Sequence, residues 1–346
     1  MKKKTKNLIY TIPFLSCLLC ACSGKNFVEL NTHELVLEPG ESYKFEIRKN
    51  DKKGLSFGTN INDIIDIDSS NQTITAKREG RTTLSVNQNN VVDTCDVAVR
   101  YSNIQPTNPL NVATIAHKGY HLNAIENTYE AFSEAGRRNF YGVETDIHMT
   151  KDKVWICNHD SKVKGMSKNI SDCTLEEILE VNLSDDPNKV VNVCTFEDYL
   201  NICNAYNKHP VIEFKEETPK QYLEEVINIL SFYSVLDGVI FISKLGNVLG
   251  TLINIKNENE FKYDLQMLTE GNGWQYVSEF LNVSSQYEAI TDSMISDCNS
   301  MGQYVAAWTV NDREEAESLI SLGVKYITTD VFECTDEFID KTLFGI

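Results

Sequence analysis

Residues 142–160 read GVETDIHMTKDKVWICNHD, two apolar runs threaded with acids and histidines. In an extended chain alternate side chains share a face. Glu144 and Asp146 therefore point one way, and the apolar Val143 and Ile147 point the other. A pair of acids on a strand whose opposite face is apolar predicts carboxylates facing an enclosed site rather than a solvated edge. After Asp146 a turn centred on Asp152 is expected to fold Val154 to Asn158 back along Ile147 to Thr150. That register returns His159 to the neighbourhood of Glu144 and Asp146.

The same reading extends outward. From Val112 onward apolar runs alternate with helical segments, such as one near Thr128 to Asn139. The runs are Ala113–Ala116, Gly142–Ile147, Val211–Phe214, Val239–Ile242, Lys262–Leu268, Leu281–Ser284, Tyr304–Thr309 and Tyr326–Thr329, with Val154–Cys157 as the returning arm of the hairpin. Strands alternating with helices predict an α/β fold, a (β/α)8 TIM barrel over residues 112–346. Active sites in such barrels lie where the strands end. The first run ends in His117-Lys118-Gly119, the third carries Glu213 and Lys215 on one face, and the seventh carries Trp308, Thr309 and Asn311. Three carboxylates, Glu144, Asp146 and Glu213, converging on one mouth would repel each other strongly without a cation. A hard, oxygen-preferring ion, Mg²⁺ or Ca²⁺, is the expected partner. His117 and His159 beside it suit a general acid and a general base.

The segments IAHKGYHLNAIENTYEAF, GVETDIHMTKDKVWICNHD, VIEFK, AAWTVND and YITTDV occur in that order between about residues 113 and 331. Together they resemble the glycerophosphodiester phosphodiesterases. The resemblance implies metal-dependent hydrolysis of a glycerophosphodiester to an alcohol and sn-glycerol 3-phosphate. It implies Glu144, Asp146 and Glu213 as ligands of one Mg²⁺ or Ca²⁺, and His117 and His159 as the acid–base pair. It further implies Lys215 on a phosphate oxygen, Glu126 and Asn127 shaping the pocket, and Trp308 lining it. The chain departs from the family pattern in having Lys118 where arginine is usual, which exchanges a planar fork for a point charge on the phosphate. Ile125 stands where proline is usual, a change in loop stiffness. His121 and His148 are expected to stay clear of the substrate, His33 and His209 to lie on the surface or in turns, and Asp160, next to His159, is a candidate for orienting the site. Two rival readings are another phosphodiesterase on a related barrel, such as a phospholipase D, and a non-catalytic surface-binding protein.

Residues 27–100 read as short strands: Val28–Leu30, Glu34–Leu37, Tyr43–Ile47, Thr73–Ala76, Thr82–Val86 and Cys95–Val99, with turns at Pro39-Gly40, Gly80 and Asn87–Asn90. ELVLEPGESYKFEI, SSNQTITAKREGRTTLSV and TCDVAV resemble the group 2 bacterial immunoglobulin-like domain, which implies a small all-β sandwich over residues 22–101 serving as a spacer or binding a cell-surface ligand. Residues 102–111, with Pro106 and Pro109, read as a linker. At the start, Lys2, Lys3, Lys4 and Lys6 precede a short apolar run, Leu8–Leu19, and then Ala21-Cys22. This resembles a bacterial lipoprotein signal over residues 1–21, implying lipidation of Cys22 and an extracytoplasmic site anchored to the cell membrane. Seven cysteines follow Cys22, an odd number without a C-x-x-C pair, so most are expected to be small buried hydrophobes. The formal charge of −18 argues against a nucleic-acid partner, whose phosphates it would repel.

Overall fold

The computed structural model describes residues 27–49, 54–102, 108–110 and 112–334; the expected leader and Cys22 lie outside them. Eight parallel strands form the C-terminal region: β1 (Ala113–Ala116), β2 (Gly142–Met149), β3 (His209–Phe214), β4 (Ile240–Ser243), β5 (Asp264–Thr269), β6 (Asn282–Gln286), β7 (Val305–Trp308) and β8 (Tyr326–Thr329). Each pairs with the next, and β1 pairs with both β2 and β8, so the sheet closes into a barrel. Around it lie α1 (Tyr129–Gly136), α2 (Leu175–Leu179), α3 (Phe196–Ala205), α4 (Lys220–Phe232), α5 (Gly246–Asn259), α6 (Asp292–Ser300) and α7 (Arg313–Leu322). Several begin with a side chain that takes up a free backbone N–H: Thr128 for α1, Thr195 for α3, Thr291 for α6 and Asp312 for α7.

Strand alternation sorts the residues into two cores. Ile115, Val211, Ile240, Ile242, Leu268 and Ala306 fill the barrel interior. Val143, Ile147, Ile212 and Phe214 face outward and pack with Phe196, Tyr199 and Leu223 from the helices. Ile242 and Leu268 top these apolar layers and reach the C-terminal mouth, where polar residues of the other strands emerge.

The predicted hairpin is present. Ile147, His148 and Met149 pair antiparallel with Cys157, Ile156 and Trp155. Thr150 caps the turn, its hydroxyl donating to Asp152 at 2.7 Å and accepting from the Val154 amide at 2.9 Å. Cys194–Thr195 extends the sheet beyond it. The excursion between them carries its own small core of Ile156, Val163, Ile170, Ile178 and Val191.

The N-terminal half contains sheets of two, three and four strands. Val28–Leu30, Glu34–Leu37 and Thr73–Ala76 form as expected, and the last two runs lengthen to Gly80–Gln88 and Val91–Val99. The expected strand Tyr43–Ile47 is broken. Ser42–Lys44 pairs with Thr73–Ala76, whereas Ile47–Lys49 pairs with Val28–Leu30. The ring of Phe45, at the break, is fully buried in the core. Ser56–Thr59 and Ile65–Asp68 are further strands; the first is mostly small and polar, and the second alternates its isoleucines with two acids.

This half packs on α1 and α3. The buried Glu79 carboxylate accepts hydrogen bonds from Ser133 Oγ at 2.8 Å and from the Tyr206 hydroxyl, and its amide donates to Tyr129 Oη at 3.2 Å. Arg78 pairs with Asp198. The segment read as a linker is partly structured: Asn108–Leu110 runs parallel to Phe332–Cys334, and Leu110 is buried. Cys95, Cys157, Cys173, Cys194, Cys203, Cys298 and Cys334 are all free and buried. His209 is not a surface residue: it is half-buried, stacked on Tyr141 at 4.3 Å, with Nδ1 3.1 Å from the Gly238 carbonyl oxygen. Its place at the first residue of β3 accounts for this burial. Among the described residues no helix is long and apolar enough to cross a membrane.

Candidate active site

β2 is buried on both faces along nearly its whole length, so its inward acids are removed from water whatever they bind. Glu144 and Asp146 from β2 and Glu213 from β3 bring carboxylate oxygens within 4.8 Å of one another. The registers put Asp146 directly opposite Glu213. Lys215 Nζ spans two of them, 3.0 Å from Asp146 and 2.9 Å from Glu213.

One lysine against three acids leaves an excess of negative charge, and the protonation equilibria show it. Burial, followed by the charges of Asp146 and Glu213, pushes Glu144 well above the usual carboxylate range. Burial lifts Glu213 to about 7, opposed by Lys215 and reinforced by Asp146. Burial works against Asp146 as well, but Lys215 and the Asn127 amide outweigh it and hold that group low. Lys215 is raised: burial would lower it, and the two acids more than compensate. All the donor atoms of the trio are oxygens. An all-oxygen set with surplus negative charge fits a hard divalent cation.

The loop after β1 completes this wall. Lys118 and Asn127 adopt left-handed backbone, with φ of 52° and 56°. The turn carries the Lys118 amide to Glu144 Oε2 at 2.7 Å. Gly119 has φ 77°, and a Cβ there would lie 2.7 Å from the Ala131 carbonyl carbon, so the loop needs glycine to lie against α1. The Asn127 amide donates to Asp146 Oδ2 at 2.9 Å, while its oxygen accepts from the Thr145 hydroxyl at 2.8 Å. Lys118 Nζ is held by Glu126 at 3.2 and 3.3 Å.

The pocket at the barrel mouth, about 220 Å³, gathers His117, Lys118, Glu144, Asp146, His159, Glu213, Lys215 and Trp308. Of the residues singled out in sequence, Glu126 and Asn127 are not on its wall; they hold Lys118 and Asp146, which are. His159 is half-exposed, and its Nδ1 lies 2.8 Å from Asp160 Oδ1. His148 is buried behind it, with Nε2 3.3 Å from the His159 carbonyl oxygen and Nδ1 3.1 Å from Glu216. His117 Nδ1 lies 3.0 Å from Asp330 Oδ1.

Sequence reading passed over Ile242, Lys244, Leu268, Ser284 and Thr328, which also line the pocket, and Asp330. The signal for several of them was present. The alternation that pairs Glu144 with Asp146 and Glu213 with Lys215 continues from Ile242 on β4 to Lys244 just beyond it and from Thr328 on β8 to Asp330 just beyond it. Trp308 is oriented by its indole N–H, which donates to the Ser284 carbonyl at 3.0 Å, and Lys244 Nζ lies 5.7 Å from its ring.

A closed parallel barrel with its charged cluster at the C-terminal mouth has the layout of a TIM-barrel enzyme site. Residues 117–333 match the glycerophosphoryl diester phosphodiesterase family. A glycerophosphodiester phosphodiesterase of Caldanaerobacter subterraneus is 27% identical over 245 residues, covering 64% of this chain and 95% of the relative. Glycerophosphodiester phosphodiesterase 1 of Bos taurus is 27% identical over 269 residues, covering 66% and 81%. Among solved structures, a glycerophosphodiester phosphodiesterase from Parabacteroides distasonis superposes with a TM-score of 0.56 at 24% identity, covering 64% of this chain and 94% of that one. A phosphodiesterase from Oleispira antarctica, solved with sn-glycerol 3-phosphate, gives 0.56 at 18% identity, covering 66% and 94%. The chain belongs to the glycerophosphoryl diester phosphodiesterase family and is an enzyme of that family.

Proposed function

We propose that the chain cleaves glycerophosphodiesters to an alcohol and sn-glycerol 3-phosphate with one bound Mg²⁺ or Ca²⁺, working outside the cytoplasm on a lipid anchor at Cys22. The observation that carries the chemistry is the meeting of Glu144, Asp146 and Glu213 with His117, His159 and Lys215 in one small pocket. Its volume lies below that of ordinary drug-sized sites, which suits a deacylated headgroup better than an intact diacyl lipid.

Glu144, Asp146 and Glu213 would hold the cation. When bound, it supplies positive charge against the non-bridging phosphate oxygens. Lys215 adds charge to the same oxygens, and Lys118, steadied by Glu126, faces them from the loop after β1. His117 and His159 serve as the acid–base pair, one taking a proton from the nucleophile and the other returning one to the leaving alcohol oxygen. Trp308, with Ile242 and Leu268, forms the less polar wall against which the organic part of the substrate rests.

The exported location is supported by the basic start, the apolar run and Ala21-Cys22. The N-terminal sheets are read as an immunoglobulin-like module, on the strength of their motifs, that holds the barrel away from the membrane. Release of glycerol 3-phosphate from glycerophosphocholine and glycerophosphoethanolamine, with EDTA and then with Mg²⁺ or Ca²⁺ restored, tests the reading. Metal-dependent release is expected; a folded protein that releases nothing with either ion would overturn it.

A further inference from the structure

Two histidines face the pocket, and they are set in different surroundings. His159 stands half-exposed beside an exposed carboxylate, Asp160. His117 is set deeper, in a chain of contacts that crosses three strands. Its Nδ1 lies 3.0 Å from Asp330 Oδ1, just past the end of β8. The other carboxylate oxygen of Asp330 accepts from the side-chain amide of Asn311, beyond β7, at 2.5 Å. The side-chain Oδ1 of Asn311 in turn accepts from the Asp330 backbone amide at 2.9 Å and the Thr329 hydroxyl at 3.2 Å, which fixes which way its side-chain amide points. His121 closes the group, with Nδ1 3.0 Å from the His117 carbonyl oxygen and Nε2 3.5 Å from Asp330 Oδ1. The His117 amide donates to the Thr329 carbonyl at 3.0 Å.

We propose that Asp330, clamped by Asn311, is the positioning residue that sets the tautomer and orientation of His117. This rests on His117 acting in the acid–base pair. An ionised carboxylate only accepts hydrogen bonds. Burial would raise the Asp330 carboxyl, but its bonds to His117 and Asn311 hold it low, so it is charged at neutral pH. It therefore keeps the proton of neutral His117 on Nδ1 and leaves Nε2 bare for the pocket. It also balances the imidazolium that forms when Nε2 takes a proton.

Asp330→Asn is the informative change. It is nearly isosteric, but an amide turned to donate toward His117 would place the imidazole proton on Nε2, the wrong nitrogen. In the full-length chain kcat is expected to fall by about 10²- to 10⁴-fold with KM nearly unchanged. Asn311→Ala is expected to produce a smaller loss in the same direction. On a His117→Ala background Asp330→Asn should cost almost nothing more, because the two act as one unit. Independently of activity, two-bond ¹H–¹⁵N NMR of the histidines reads the tautomer directly; the six in the chain can be assigned by single substitution. The His117 signal should report Nδ1–H in the unaltered protein and shift toward Nε2–H in Asp330→Asn, with the His209 and His33 signals unmoved as a check on the fold. An unchanged His117 tautomer in Asp330→Asn, or an equal loss of activity with and without His117, would overturn the proposal. If Asp330→Asn does not fold, Asn311→Ala is read by the same two measurements. Should the unaltered chain cleave no glycerophosphodiester, the function proposed above fails, and the NMR result still decides the Asp330–His117 pair.

Discussion

Lys215 is the only cation within hydrogen-bonding reach of the acidic trio among the described residues, and one lysine does not balance three carboxylates. Glu213, lifted to about 7, and Glu144, held well above the usual carboxylate range by burial and its acidic neighbours, bind protons in the folded chain that they release when it unfolds. The sign follows: where the folded state holds more protons than the unfolded one, stability falls as pH rises. In EDTA the melting temperature is expected to drop from about pH 4.5 to about pH 7, the window between the ordinary and the raised value for Glu213. Glu213→Gln should flatten the slope, and added Mg²⁺ or Ca²⁺ should restore stability at the upper end. A melting temperature equally indifferent to pH and to the ion would contradict this. At the same scale, His159→Ala should lower kcat by about 10²- to 10⁴-fold while leaving the circular dichroism melt nearly unchanged, since the side chain is half-exposed.

The β1–α1 loop is the element on which the geometry turns. It carries His117 and Lys118, binds Glu144 through a backbone amide, and returns through Asn127 to hold Asp146. Its fit against α1 depends on Gly119. Gly119→Ala would place a methyl 2.7 Å from the Ala131 backbone at φ 77°, so the loop must lift. The expected outcome is a folded protein destabilised by about 1–3 kcal/mol, with activity reduced because the Lys118 amide leaves Glu144. Thermal melts and the glycerol 3-phosphate assay on one preparation check both. The hairpin after β2 was readable in sequence from the alternation on either side of Asp152. The break at Phe45 was not, because which sheet each half joins depends on partners distant in the chain.

At the scale of the whole molecule, the N-terminal sheets and the barrel share buried contacts rather than only a tether. Glu79 reaches α1 through Ser133 and sits against Tyr206 beyond α3. Glu79→Ala removes the acceptor of the buried Ser133 and Tyr206 hydroxyls, a change of about 1–3 kcal/mol. A lower melting temperature for the barrel, followed through its tryptophans, is expected; independent melting of the two halves, with the barrel unaffected, would show that the interface carries no stability.

Sequence alone determined the α/β barrel and the pairing of Glu144 with Asp146 and of Glu213 with Lys215, because strand alternation is a local property with a fixed period. It also determined that His159 returns toward β2, since a hairpin is set by its turn and flanking strands. Only the tertiary structure decided that Glu126 and Asn127 stand behind the pocket wall, that Lys244 and Leu268 complete it, and that Asp330 meets His117 across 213 residues of chain. Barrel closure brings β8 beside β1: alternation marks Lys244 and Asp330 as facing inward, but which side chain each meets across the mouth is set by strands far apart in sequence and not by the local pattern of either.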